Sequence, residues 1–454
     1  MFSKKILDKS GFALPIAIGA LIFFVIVIGV WAVLNLSLFK TSSAQTGSVQ
    51  ALAACEEGIS YATAKNLPYG SSQYTSQEGL NVNIVVKQPA TISGYITKII
   101  TASVDTPQKR SVTVYLGNVI PGAVIANGDI NMNSNSAITT NNPNIPGALL
   151  SGALSKDSNS SVIGPPQHLS DFTPYKNAIH QVVSSMTPSI PAKPTDYTML
   201  SNPTCGQTLT GNYILTDGSL NNNCNLTING NLVINSSNFL INTNSSLTVN
   251  GNMWSNTVKL NSNANLTVNK SLYANGSVTD NSNSQINIGG NIILTGSNSN
   301  LILNSNSDTI SGNIITIGNY TSVIFDSNST VGGNIIIYDG NLTFNSNVQG
   351  LTNSLIYVGD SSGSSSSGNL TINSNNTING LVYASGSAQI GETTVQMNSN
   401  SNINGALLVE SGNLQVNAGS EIVYNPANFS NITNLLSSYL SSPIITGSWH
   451  EPLI

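Results

Sequence analysis

Charge is nearly missing from this chain. Only 7% of its 454 residues are charged, 14 Lys and Arg against 19 Asp and Glu, for a formal net charge of −5. No basic field exists to attract a phosphate backbone, which excludes nucleic acid as an expected partner. Between Gly206 and Asn425 the only cations are Lys259 and Lys270, so a surface built there consists of neutral Asn, Ser and Thr. Such a surface suits contact with glycans or solid surfaces and poorly suits a cytoplasm-facing enzyme. Histidine is limited to His168, His180 and His450, scattered without metal-ligand spacing, and neither a metal nor a cofactor is expected. Of the three cysteines, Cys205 and Cys224 lie 19 positions apart, close to one unit of the repeat described next. They form a disulfide candidate, with two buried thiols as the alternative, and Cys55 has no evident partner.

What the chain has in quantity is repetition. From Leu226 to Leu414 one unit recurs: apolar, Thr or Asn, apolar, Asn, then Gly-Asn, a second apolar run and an Asn-Ser-Asn turn. Leu226-Thr-Ile-Asn-Gly-Asn231, Leu247-Thr-Val-Asn-Gly-Asn252, Leu266-Thr-Val-Asn269 and Ile286-Asn-Ile-Gly-Gly-Asn291 return at intervals of roughly 20 residues, the range of solenoid coils. Alternation in Leu-Thr-Val-Asn puts apolar side chains on one face of a half-buried strand. The runs Leu232-Val-Ile234, Ile292-Ile-Leu294 and Ile335-Ile-Ile337 are β-branched and too short for helices, and read as a more deeply buried second strand. Asn261-Ser-Asn263, Asn281-Ser-Asn283 and Asn345-Ser-Asn347 are corners, because Asn tolerates left-handed backbone angles and bonds the local backbone. A disordered Asn-rich tract would lack the Leu, Ile and Val retained in each unit. The expected fold is therefore mainly β, a parallel β-helix of roughly a dozen coils, which at about 4.8 Å per strand makes a rod of some 60 Å.

The amino terminus carries a different signal. Phe12 to Phe39 contain no charged side chain, a run longer than the roughly 20 residues that span a bilayer as a helix. Lys4, Lys5 and Lys9 precede it, so the start belongs in the cytoplasm and everything after Lys40 outside. Lys4-Lys5, then Lys9-Ser-Gly11 followed by Phe12-Ala-Leu-Pro15, resembles a type IV prepilin leader. The resemblance implies cleavage after Gly11 by a prepilin peptidase and methylation of the new terminus, Phe12. Ala51-Leu-Ala-Ala-Cys55-Glu-Glu-Gly-Ile59 is similar to the helix-end signature of PilX-type minor pilins, with Glu56 and Gly58 as its matching residues. Gly94–Ser103 and Lys109–Leu116 resemble the paired strands that follow it, and Ser448-Trp449-His-Glu451 resembles the short tail of that group. Pilins usually carry Glu at the fifth mature position, which here is Ile16. A polymerising subunit is then not expected; the resemblance implies a filament-tip subunit with other pilin-like subunits as partners, and a plain membrane anchor is the alternative.

Along the chain these readings place a leader at 1–11, a transmembrane and pilin-like helix at 12–64, a small β region at 65–117, a solenoid at 118–425 and a capping helix with tail at 426–454. Leu67-Pro68 ends the long helix. Leu80 to Lys87, Gly94 to Val104 and Arg110 to Leu116 alternate as strands. Gly122–Ser136 matches Gly405–Ser420, so coils begin before residue 130 and the Pro-rich region 165–203 is an insertion within them. It holds a short helix opened by Thr173-Pro174. From Pro426 to Leu440, Phe429, Ile432, Leu435, Leu436, Tyr439 and Leu440 share a helical face suited to closing the solenoid's carboxyl-terminal end, where an apolar core and open strand edges need a cap.

Parallel β-helices also host glycan-cleaving enzymes, whose sites need clustered carboxylates. Asp308 with Asp326, and Asp339 with Asp360, lie about one coil apart and are the carboxylates such a site would use; isolated turn aspartates explain them equally well. Trp254, Tyr273, Tyr320, Phe325, Tyr338, Phe344, Tyr357 and Tyr383 either stack on sugars or fill the core. The leading expectation is a non-enzymatic, exported subunit, at the cell membrane or a filament tip with its bulk outside, that displays the solenoid for adhesion, with surface glycans as ligand. The alternatives are a surface polysaccharide lyase or hydrolase, and a structural envelope protein outside any filament.

Overall fold

The computed structural model describes residues 13–65, 67–87, 96–105, 109–117, 120–141, 145–345, 348–359, 368–373, 375–386 and 392–440. The leader with Gly11 and Phe12, and the tail from 441, lie outside the described residues, as do the side chains of residues 13–26. The chain divides into two compact units.

In the first unit a helix, α1, spans Ala13–Ala64. Ala51, Ala54, Cys55, Ile59 and Ala62, spaced three or four apart, form its buried stripe and pack on an antiparallel four-stranded sheet. The strands run Gly70–Thr75, Asn81–Lys87, Ile96–Val104 and Arg110–Gly117, in chain order across the sheet. Val82, Ile84 and Val86 alternate inward, as do Ile100, Ala102 and Val104, and Val112, Val114 and Leu116. Gly-Ser-Ser-Gln-Tyr-Thr is polar and largely exposed, so its pattern did not announce the first strand; it pairs along its full length with Asn81–Val86.

The second unit is a parallel β-solenoid of about 13 turns. Each turn visits three sheets, as in Asn225–Asn229, Leu232–Ile234 and Asn238–Ile241, which we call sheets 1, 2 and 3. The expected apolar column is present. Leu226, Leu247, Leu266 and Ile286 stack in register, each no more than 1% exposed. Burying an aliphatic side chain of this size contributes about 1.5–3 kcal/mol. Asn223, Asn244 and Asn263 hold left-handed corners at φ 54°, 59° and 57°, with the Asn244 and Asn263 amides each donating to the corner one turn before. A second amide ladder climbs from Asp326 through Asn345, Asn373, Asn398 and Asn417 to Asn133.

That last step reveals the topology. Val124–Ala126 pairs with Leu407–Val409, and Ile130–Met132 with Leu414–Val416. Ala137–Thr140 pairs with Glu421–Tyr424. The final carboxyl-terminal strand thus forms one side of a turn whose other two sides come from residues 124–132. The matching stretches Gly122–Ser136 and Gly405–Ser420 are neighbours in space.

Within region 165–203, Gln167–His168 and Thr198–Leu200 are solenoid strands, and the segment 169–197 between them is not an insertion between adjacent coils, as the sequence suggested, but the return connection from one end of the solenoid to the other. It starts with helix α2, Thr173–Met186, whose Ala178, Ile179, Val182 and Val183 are buried against the solenoid core. At its end the Thr187 hydroxyl bonds that of Tyr338. From there to Thr198, in the strand Thr198–Leu200 below Tyr213–Leu215, sheet 2 descends seven strand pairings, about 34 Å at 4.8 Å each. The 198 − 187 = 11 residues available cover about 34 Å as a polyproline II strand. Pro188, Pro191 and Pro194 recur with the three-residue period of that helix.

The connection explains why the central strands of sheet 2 are buried on both faces, as in Ile292–Leu294 and Ile335–Ile337. A short turn of 3-10 helix, Pro426–Phe429, and helix α3, Ser430–Leu436, pack beside α2 against Thr352–Val358 and its neighbours in sheet 2. The carboxyl-terminal helix therefore covers a flank and does not cap an end, because the turns built from residues 120–168 already lie beyond Tyr424.

Candidate functional site

The predicted signature residues of α1 separate on inspection. Glu56 is exposed, whereas Glu57 accepts a hydrogen bond from the Gln77 amide at 2.9 Å. Gly58 is buried where the helix meets the sheet, and a Cβ there would lie 2.7 Å from Val82 Cγ1. The Cys55 thiol is buried and donates to the Arg110 carbonyl at 3.6 Å. Earlier on α1, the apolar side chains of Val27, Ile28, Val30, Trp31, Val33 and Leu34 are exposed on all sides of the helix, Trp31 by 67%. Phe39 is 75% exposed. Among the described residues no helix is long and apolar enough to cross a membrane.

Cys205 and Cys224 are joined in a disulfide with Cα atoms 4.7 Å apart. It ties the approach to the first strand of sheet 1, Gln207–Thr210, to the turn that opens the next, Asn225–Asn229.

Asp308 and Asp326 do not meet. Asp326 lies in an outer corner and accepts from the Asn345 amide at 2.7 Å. Asp308 is 1% exposed, directly above Ile286 in the inward column, and its carboxylate accepts from the Ile286 amide at 2.8 Å and the Ser305 amide at 3.2 Å. Its neighbour is Asp280, 9% exposed, in the inward place that Leu260 and Leu303 take in adjacent turns. Asp280 accepts from the Asn304 amide at 2.5 Å. Burial pushes Asp280 up to about 6, and burial with the charge of Asp280 pushes Asp308 up to about 8. One proton is thus retained by the pair near neutrality. Enclosed in the core, these carboxyls have no route to a glycan. Sequence reasoning missed Asp280 because Val278-Thr-Asp-Asn281 reads as a strand ending in a turn; the one available signal was an aspartate at the alternation's inward position. Asp339 is fully buried with neither carboxylate oxygen hydrogen-bonded, and its expected partner Asp360 lies outside the described residues.

A second polar cluster fastens α2. Lys176 Nζ lies 2.5 Å from Glu410 Oε1, and the Tyr383 hydroxyl donates to Glu410 Oε2. His180 stands edge-on to Tyr357 and Tyr383, with ring centroids 5.8 and 5.9 Å away, and burial lowers its basicity. Burial and Glu410 raise the Tyr383 pKa. Of the two readings of the aromatics, sugar stacking or core filling, these pairs follow packing: Trp254 stacks on Tyr273 at 5.4 Å, Tyr357 on Tyr383 at 5.1 Å, and Phe325 on Phe344 at 5.1 Å in the core. Of that set only Tyr320 is largely exposed, at 48%.

Among the described residues no group of three or more His, Cys, Asp or Glu is placed to share a metal ion. The remaining open feature is sheet 1, whose outward side chains are Thr, Asn, Ser and Gln without a charge from Gln207 to Val331. No protein-family profile matches the chain, and neither a curated protein nor a solved structure is significantly similar to it.

Proposed function

We propose that this chain is an exported, membrane-anchored subunit of the minor-pilin kind, which displays its β-solenoid outside the cell for attachment. The observation that carries the reading is the stretch of α1 from Val27 to Phe39, where apolar side chains project on all sides of the helix. Such a surface is stable only in a lipid bilayer or among similar helices. The uncharged run continues back to Phe12, and the positive residues before it set the orientation. A disulfide in the solenoid agrees with an oxidising compartment. A sheet whose outward side chains carry no charge resists non-specific electrostatic capture, as a displayed surface needs.

In this reading prepilin peptidase cuts between Gly11 and Phe12. Ile16 then offers no carboxylate to a preceding subunit's terminus, which fits a tip or anchor position. Sequencing the mature amino terminus tests the proposal. It predicts N-methylated phenylalanine from Phe12; a terminus at Met1, or one beyond Phe39, contradicts it.

A further inference from the structure

We propose that sheet 1 is an ice-binding surface. Its seven strands, from Gln207–Thr210 to Thr330–Val331, are paired in parallel without a register shift. At the centre of the outward face stand Thr208, Thr227, Thr248, Thr267, Thr309 and Thr330, one per turn, with Asn287 completing the column. Successive members are about 4.8 Å apart and the column is on the order of 29 Å long.

Three properties suit this column to contact with a rigid surface. None of the six hydroxyls is hydrogen-bonded to a described residue, whereas Thr316 and Thr321 bond each other and Thr394 bonds a carbonyl. The flanking amides are already committed along the rod: Asn250 donates to Asn229 at 2.6 Å and Asn269 to Asn250 at 2.5 Å. Ladders of this kind hold stacked sheets flat. Finally, each threonine is β-branched in a strand, so its hydroxyl and methyl point in fixed directions and little rotamer entropy is lost on contact.

The chemistry of the face selects the occupant by what it cannot bind. It has no aromatic to stack on a sugar ring, no cation for phosphate, no outward apolar side chain for lipid, and none of the Trp, Tyr or Arg anchors of a protein interface. A neutral, rigid array of alternating hydroxyls and methyls matches a neutral lattice of hydrogen-bonding oxygens. The hydroxyls join the lattice while the methyls sit against ordered water that need not be displaced. Sheet 3 lacks the feature, since its corresponding column runs Leu240, Lys259, Thr279 and Ile302. Sheet 2 is covered by α2, α3 and the return connection. Sheet 1 itself loses the pattern beyond Thr330, where Gln349 and later Glu421 follow.

This assignment gives the attachment reading a ligand, and it can fail while export and display stand. The test is partitioning of the detergent-solubilised full chain into a slowly growing ice front, with inhibition of ice recrystallisation as a second readout. Wild type is expected to enter the ice. Thr248→Lys with Thr267→Lys is expected to abolish partitioning, while Thr279→Lys on sheet 3 leaves it intact. If the lysine pair does not fold, the single change Thr248→Tyr carries the same expected loss. Wild type remaining in the liquid, variants partitioning as well as wild type, or retention of wild type on crystalline cellulose or chitin instead of ice would each overturn the proposal.

Discussion

Leu247 and Thr248 are adjacent residues with opposite fates. Leu247 is fully buried between Leu226 and Leu266, and Thr248 points outward from the same strand. Leu247→Asp buries an unpaired charge between two apolar rungs and should cost on the order of 3 kcal/mol or more, while Thr248→Asp should cost about 0.5 kcal/mol. Chemical denaturation of the two variants checks the contrast. The Asp280–Asp308 pair gives a pH signature. Both carboxyls titrate higher in the folded chain than the ordinary value of about 3.9. The folded state therefore binds more protons, and the pair's contribution is complete below about pH 4 and lost as pH rises through about 8. The groups facing the pair are the Asn304, Ile286 and Ser305 amides and the Ser284 hydroxyl, none of them cationic. Asp280→Asn keeps an acceptor for the Asn304 amide and supplies a permanent donor toward Asp308. Its melting temperature should vary less than that of wild type between pH 4 and 9, and an unchanged slope would contradict the shared proton.

At the scale of elements, alternation made the strands legible because one buried face repeats in each turn, and Asn corners made their ends legible. The helix end near Ala64 was equally plain from Leu67-Pro68. The strand Gly70–Thr75 was not, since an exposed polar edge strand carries no pattern of its own. Gly58 lies where the helix presses on the sheet. Gly58→Val places a branched side chain where a Cβ already meets Val82 at 2.7 Å, and should destabilise the helix–sheet unit by about 1–3 kcal/mol, read as a lower melting temperature. The disulfide closes a loop of 19 residues. Its removal by Cys205→Ser with Cys224→Ala should cost about 3 kcal/mol, seen as a lower denaturant midpoint without added reductant.

For the whole molecule, local patterns specify coils without specifying which coil stacks on which. The likeness of Gly122–Ser136 to Gly405–Ser420 was the one trace of the seam, and it reads equally as two ordinary repeats. The decisive information is metric: the Pro188–Pro194 segment has the length needed to return along sheet 2. The turns of residues 120–168 precede their partner strand Glu421–Tyr424 in the chain, so the last strand in sequence completes the rod. Deleting residues 120–168 should leave the edges of Asn402–Val409 and Asn413–Val416 open. Size-exclusion chromatography should then show self-association of the truncated chain.

The proposed display outside the cell and the coil's defined inside and outside can be read in one measurement. Leu247→Cys and Thr248→Cys variants, each expressed as the full chain, are treated on intact cells with a membrane-impermeant maleimide. The account predicts labelling at position 248 and none at position 247 until the protein is denatured. Equal labelling of the two would contradict the solenoid register, and absence of labelling at both on intact cells would contradict display outside the cell.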